Sequence, residues 1–168
     1  MEKNKTFKVG DKIIHFDQVY RIFKIRKRNK DKIIFFKRYF KTKENRKLVF
    51  SIPISSIDET KVRKPISKKK LRDLFKALSQ KPEAKIAINT VKAKELLGSN
   101  SLDKIIEILK QFWQEKKTDP DHFNKSKENV FKLAIKKLSE EIALVNDISL
   151  AKARKKIKNA LKKSKNAK

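Results

Sequence analysis

The sequence contains no cysteine, and only two glycines and four prolines in 168 residues. Without cysteine there is no disulfide framework, no thiolate metal site and no cysteine nucleophile. His15 and His122 are the only histidines, and they lie far apart, which argues against a histidine-rich metal site. No run approaches the roughly 20 apolar residues of a membrane span. The opening "MEKNKTFKVG" lacks the apolar segment of a secretory signal, so a cytoplasmic protein is expected. There is no P-loop, no GxGxxG and no readable Ser/His/Asp arrangement. Glu140 and Glu141 are adjacent carboxylates on a helix whose other face is apolar, and they read as a solvated face or a structural ion pair. No catalytic constellation emerges, so neither an enzyme nor a cofactor is expected.

What is abundant is positive charge. Lys and Arg number 47 against 19 Asp and Glu, a net charge of +28. Such an excess repels itself in a compact state. A lysine-favouring genome composition accounts for part of it, and a polyanionic partner, most commonly nucleic acid, for the rest. Residues 1–60 carry 17 basic and 7 acidic side chains, and residues 61–168 carry 30 and 12. Both halves are basic, so charge alone does not locate the interface.

With so few Gly and Pro, regular structure should fill most of the chain. Up to about residue 57 the pattern is strand-like. "FKVGDKIIHF" enters a strand after a turn at Gly10-Asp11, "QVYRIFKIRK" alternates, and "DKIIFFKRYF" and "RKLVFSIPI" follow, separated by polar turns. Short strands with brief turns predict a small antiparallel barrel or curled sheet. Pro53, unable to donate to a ladder, belongs at an edge or strand end.

From residue 65 the period becomes helical. Ser67 is a natural N-cap before Leu71, Leu74, Phe75 and Leu78. A short helix ends at Gly98. A third starts at a Ser101 cap, with Leu102, Ile105, Ile106, Leu109, Phe112 and Trp113 inward. A fourth turns Val130, Phe131, Ala134, Leu138, Ile142 and Val145 inward. A fifth, capped by Ser149, buries Leu150, Ala153, Ile157 and Leu161. The fold class is therefore α+β: a small antiparallel β module over residues 1–60, a linker at 61–64, an all-helical module over 65–163, and a disordered basic tail at 164–168.

Four features bear on binding. "KIRKRNKDK", around Arg26 and Arg28, is a cation-rich hairpin turn that suits phosphate or an acidic protein surface, or simply solvent. The last helix and tail carry nine basic residues from Lys152 onward and no acidic one, with Lys155, Lys158 and Lys162 at helical spacing. Ile86 and Ile88 stand near a helix start among Lys85, Lys92 and Lys94. An apolar residue in such a setting can wedge into a minor groove, although anchoring the helix to its core is the plainer role. Trp113 suits base stacking, but its place on the apolar stripe favours the core.

"FKVGDKIIH", then "VFSIPISSIDETKVRKPISKKKLRDLFKAL", resembles the CarD/CdnL family of bacterial transcription regulators, through Phe7, Val9, Gly10, Asp11, Ile52-Pro53 and Arg63 to Ser67. "KLAIKKLSEEIALVNDISLAKARKKIKNAL" is similar to that family's last two helices. The resemblance runs over about residues 7–163. It implies a Tudor-like N-terminal module that docks on the RNA polymerase β subunit, shared with the transcription-repair coupling factor. It also implies a helical module that contacts promoter DNA at the upstream edge of the bubble and stabilises the open complex. The polymerase-binding residues so implied are Arg26, Arg28, Phe50, Ser51 and Ile52. The family inserts a Trp of a W-x-R-R-Y pattern into the minor groove. Counting back from Trp113 puts Ile86 in that place and Ile88-Asn89-Thr90 in the place of R-R-Y. The DNA-binding residues are then Lys85, Ile86, Ile88, Asn89, Lys92, Lys94, Lys155 and Lys158, in a monomer that meets DNA and polymerase but no membrane. The competing expectation is a general nucleic-acid coating protein, nucleoid- or RNA-associated, without polymerase.

Overall fold

The structure, a computed structural model, describes residues 6–83, 87–99 and 101–164. The chain forms an antiparallel four-stranded sheet followed by five α-helices, an α+β fold. It divides into two compact units, Met1–Pro65 and Ile66–Lys168.

In the first unit the strands are β1 (Lys12–His15), β2 (Gln18–Arg28), β3 (Asp31–Arg38) and β4 (Val49–Pro53), and they lie side by side in chain order. Gly10 opens the sheet at φ +97°, a conformation only glycine takes without strain, and its N–H donates to the Ile22 carbonyl at 2.8 Å. The β1–β2 turn reaches the left-handed region without glycine, through Phe16 at φ +46° and Asp17 at φ +59°. The register pairs Ile13 with Tyr20, Ile22 with Phe36 and Ile34 with Ile52. These residues, with Phe7, Ile57 and Val62, make the core, and Tyr20 meets Phe36 and Phe50 edge-on at 5.3 and 5.4 Å.

Two expectations change here. Strict alternation along β2 would put Ile22 and Ile25 on opposite faces. The register instead shifts between Ile22 and Lys24, so Phe23 bulges outward, and Ile25 packs on the same core as Ile22. Residues 61–64 are not a free linker. Val62 is buried in the β core, and Arg63 exchanges main-chain bonds with Ile14 at 2.8 and 3.0 Å, closing the outer side of β1. A polar composition hid this, because one buried valine is enough to tie the segment down.

The second unit contains α1 (Lys68–Leu78), α2 (Thr90–Gly98), α3 (Leu102–Thr118), α4 (Lys125–Asn146) and α5 (Leu150–Lys163). Ser67, Asn89, Asn124 and Ser149 each accept the N–H three residues ahead, which satisfies one orphan donor per helix. Ser101 stands at the expected cap position of α3, but its side chain makes no capping bond. The inward stripes are those of the 3.6-residue period, with Leu78, Ile105, Ile108, Leu109, Phe112, Leu138, Ile142 and Ile157 essentially inaccessible. Phe123 closes on Phe112 edge-on at 6.0 Å. Asp147 ends α4 in the left-handed conformation and so turns the chain into α5.

Glu140 and Glu141 are buried, not on a solvated face. Glu141 Oε1 accepts the Ile66 N–H at 2.9 Å, so this carboxylate fixes the chain just before α1. Lys110 is likewise buried, and its ammonium donates to the Lys81 carbonyl at 3.3 Å and pairs with Glu107 at 3.3 Å. For Glu141 and Lys110 these are structural roles: each meets an opposite charge or a main-chain partner, as burial demands. Ser164, the first residue of the expected tail, caps α5 by donating to the Leu161 carbonyl at 2.6 Å, and residues 165–168 lie outside the described residues. No helix of the described residues is long and apolar enough to cross a membrane.

Candidate nucleic-acid interface

In the helical unit, α3, α4 and α5 bound a groove of about 540 Å³. Trp113, Phe131 and Ile135 form its floor. Its rim is made by Lys116 from α3, Lys132 and Lys136 from α4, and Arg154 and Lys158 from α5, with Glu128 as the single carboxylate. The spacing explains the gathering. Lys132 and Lys136 are four residues apart, as are Arg154 and Lys158, so each pair rides one face of its helix beside the buried stripe. Arg154 and Lys158 flank Ala153 and Ile157, which anchor α5.

The rim is not neutralised. Glu128 accepts from Lys116 at 2.7 Å and pairs with Lys132 at 3.5 Å. That hydrogen bond from Lys116 holds the Glu128 carboxyl below its ordinary range, so the carboxylate stays charged and offsets one cation. Lys136, Arg154 and Lys158 have no ion-pair partner among the described residues. Three uncompensated cations over an apolar floor raise the local positive potential, and a concave low-dielectric wall focuses it.

Trp113 was expected in the core beside Leu109 and Phe112. Phe112 is fully buried, but Trp113, about 100° further round the helix, is only half-buried. Its ring stacks on Phe131 at 6.2 Å and 22°, and the Lys117 ammonium sits 5.2 Å from its centroid. It also lines a second, smaller groove with Lys81, Pro82, Gln114, Lys117, Thr118 and Ser164, so the indole is the wall between two grooves. Its Nε1 is shielded from solvent and meets no acceptor among the described residues.

The residues expected to touch DNA divide into three groups. Lys85 and Ile86 lie outside the described residues. Ile88 is half-buried and its N–H donates to Gln111 Oε1 at 3.2 Å, while the Asn89 side chain caps α2 by accepting from the Lys92 N–H at 2.8 Å. Lys92 is bound to Glu95 at 3.0 Å, and Lys94 is exposed. On α5, Lys155 and Lys158 are both exposed, but only Lys158 reaches the groove, where Arg154 is its companion. Sequence reading missed Lys116, Lys132, Lys136 and Arg154. The i, i+4 spacing of Lys132 with Lys136 and of Arg154 with Lys158 was visible, but which faces converge is a matter of helix packing.

In the β unit, Arg26, Lys27 and Arg28 are exposed along the outer end of β2. Lys27 stands directly opposite Lys32 across the hairpin, an unfavourable like-charge pair. At the tip, Ser55 Oγ donates to Asp31 and holds that carboxyl below its ordinary range. Of the residues expected to dock on polymerase, Ser51 is exposed on β4, Phe50 is half-buried against Tyr20 and Phe36, and the Ile52 side chain is in the core. Ile52 can therefore serve a partner only through its main chain. β4 is the last strand in the sheet order, the position from which strand addition proceeds. Exposed Leu48 and Val49 lie at its start.

The chain matches no protein-family model and no curated protein.

Proposed function

We propose that the chain is a non-enzymatic transcription regulator, cytoplasmic and nucleoid-associated, that acts as a monomer on RNA polymerase and promoter DNA together. The β unit docks on the polymerase β subunit, through the main chain of β4 and the cations Arg26 and Arg28. The helical unit contacts promoter DNA at the upstream edge of the bubble and slows its collapse. The observation that carries this reading is the groove of the helical unit, where Lys136, Arg154 and Lys158 stand without ion-pair partners among the described residues. A structural surface gains nothing from three unpaired cations around an apolar floor, whereas a phosphate backbone gains a contact from each. The CarD/CdnL-like arrangement of a Val-Gly-Asp strand entry, an Ile-Pro strand end and a late helix pair supplies the polymerase half of the proposal. Two weak contacts on one chain reinforce each other through effective concentration.

A second reading, a coating protein independent of polymerase, is favoured by one observation: the hairpin of the β unit is itself strongly cationic and places Lys27 opposite Lys32. A single binding series separates the two. The full chain is titrated against the isolated polymerase β subunit, with Arg26→Glu/Arg28→Glu alongside. Micromolar binding that the double variant loses supports docking. If the wild-type chain ignores the β subunit and still binds DNA, the coating reading replaces it.

A further inference from the structure

We infer that the α3–α4–α5 groove is a seat for an unpaired nucleobase, so that the helical unit prefers single-stranded over duplex nucleic acid. The inference rests on the nucleic-acid reading above and deepens it, since the upstream edge of a bubble is where unpaired and paired strands meet.

A surface meant only for duplex phosphates needs cations and no hollow. Here the cations surround a hollow of about 540 Å³ floored by Trp113, Phe131 and Ile135. That volume falls within the range of small-ligand sites, roughly 300–1,000 Å³, and so admits a flat heteroaromatic ring with its sugar. A base inside a duplex is stacked on both faces and cannot enter, whereas an unpaired base can. The rim divides naturally between the phosphates flanking such a base. Arg154 and Lys158 stand on α5, and Lys132 and Lys136 on α4, all four lining the hollow. Lys116 and Lys132 share Glu128, which leaves Lys136, Arg154 and Lys158 for the backbone. No side chain on the floor can read a base edge by hydrogen bonding, because Phe131 and Ile135 carry no polar atom and the indole Nε1 of Trp113 is shielded. The seat is therefore tolerant of base identity. An acidic peptide without aromatic residues, such as polyglutamate, would match the rim but would bring no flat apolar group to the floor.

Trp113 is the sole tryptophan and walls both grooves, so its emission reports on them, and a variant at Lys136 and Lys158, which line only the larger one, ties the signal to that groove. The full chain is titrated with a dT oligomer, with a hairpin duplex of equal charge and with polyglutamate. Anisotropy of the labelled ligand and Trp113 emission are followed together at one salt concentration. Lys136→Glu/Lys158→Glu, at two exposed positions, is run in parallel. The expected result is saturable quenching by the single strand alone and an affinity about tenfold above that for the duplex. The double variant should lose both. Binding of either nucleic acid with no quenching overturns the base seat and leaves the nucleic-acid reading standing. Equal quenching by duplex or by polyglutamate also overturns it, and assigns the groove to duplex or to acidic peptide. Failure of both nucleic acids to bind overturns the inference together with the reading beneath it.

Discussion

The two units carry a similar excess of positive charge and arrange it in different ways. In the β unit the cations stand out along the far end of β2 and β3, on a hairpin whose tip residues are largely exposed. In the helical unit they gather around a hollow with an apolar floor. A projecting hairpin can touch phosphate or an acidic surface but cannot enclose anything. A rimmed hollow can admit one flat group and hold the charges on either side of it. The same composition is thus displayed on a projection in one unit and around a hollow in the other.

The cores differ too. The β unit relies on edge-on aromatics and a bulge that adds Ile25 to the packed face. The helical unit relies on aliphatic stripes, plus buried charges that fix its entry and its α3 helix. The largest test of this contrast is truncation of each core. Phe36→Ala in the β unit, or Phe112→Ala in the helical unit, should cost about 3–5 kcal/mol. Because each residue belongs to one unit only, Phe36→Ala should leave the helical circular-dichroism signal in place at temperatures where the sheet has melted. Simultaneous loss of both signals would show that the two cores are energetically one.

A smaller effect should come from Glu141. Removing its acceptor strands the part-buried Ile66 N–H, so Glu141→Ala should cost about 1–3 kcal/mol in urea unfolding. Glu141→Gln keeps an acceptor and should lose less. Equal losses would mean that the charge, and not the hydrogen bond, is what α1 depends on.

The smallest effect belongs to His15 in the β unit. Desolvation among Phe16, Tyr20 and Phe36 lowers its pKa, partly opposed by a hydrogen bond with Thr60. The unfolded chain therefore takes up the proton first as pH falls. Stability from this site is full above the ordinary histidine pKa of about 6.5 and declines below it. Thermal melts between pH 7.5 and 5.5 should show the decline, and His15→Phe, which keeps a ring in place, should flatten it. An unchanged slope in the variant would remove His15 from the account.

Much of the fold was legible because the hydrophobic period changes from two to 3.6 near residue 65 and because Ser67 and Ser149 cap α1 and α5 where expected, although Ser101 makes no capping bond and the Asn89 and Asn124 caps were not foreseen. What was illegible depends on tertiary packing. The bulge at Phe23 has no sequence mark, since Ile22 and Ile25 fit an alternating strand on paper as well as they fit a kinked one. Val62 ties down residues 61–64 although the surrounding composition is that of a linker. Trp113 belongs to the right stripe but at its margin, where one step round the helix separates a core residue from a groove wall. The groove combines three helices, so Lys116, Lys136 and Arg154 come together only once those helices pack.

The central claim is that the unpaired cations of the groove carry DNA binding. The most direct measurement is the salt dependence of binding between the full chain and a promoter fragment containing a short bubble, with Lys136→Glu/Arg154→Glu/Lys158→Glu beside the wild type. The account predicts that the triple variant binds at least about tenfold more weakly near 0.1 M salt, with a log–log slope shallower by about two to three, one for each lost phosphate contact. An unchanged affinity and slope would contradict it and return the DNA contact to another face of the protein.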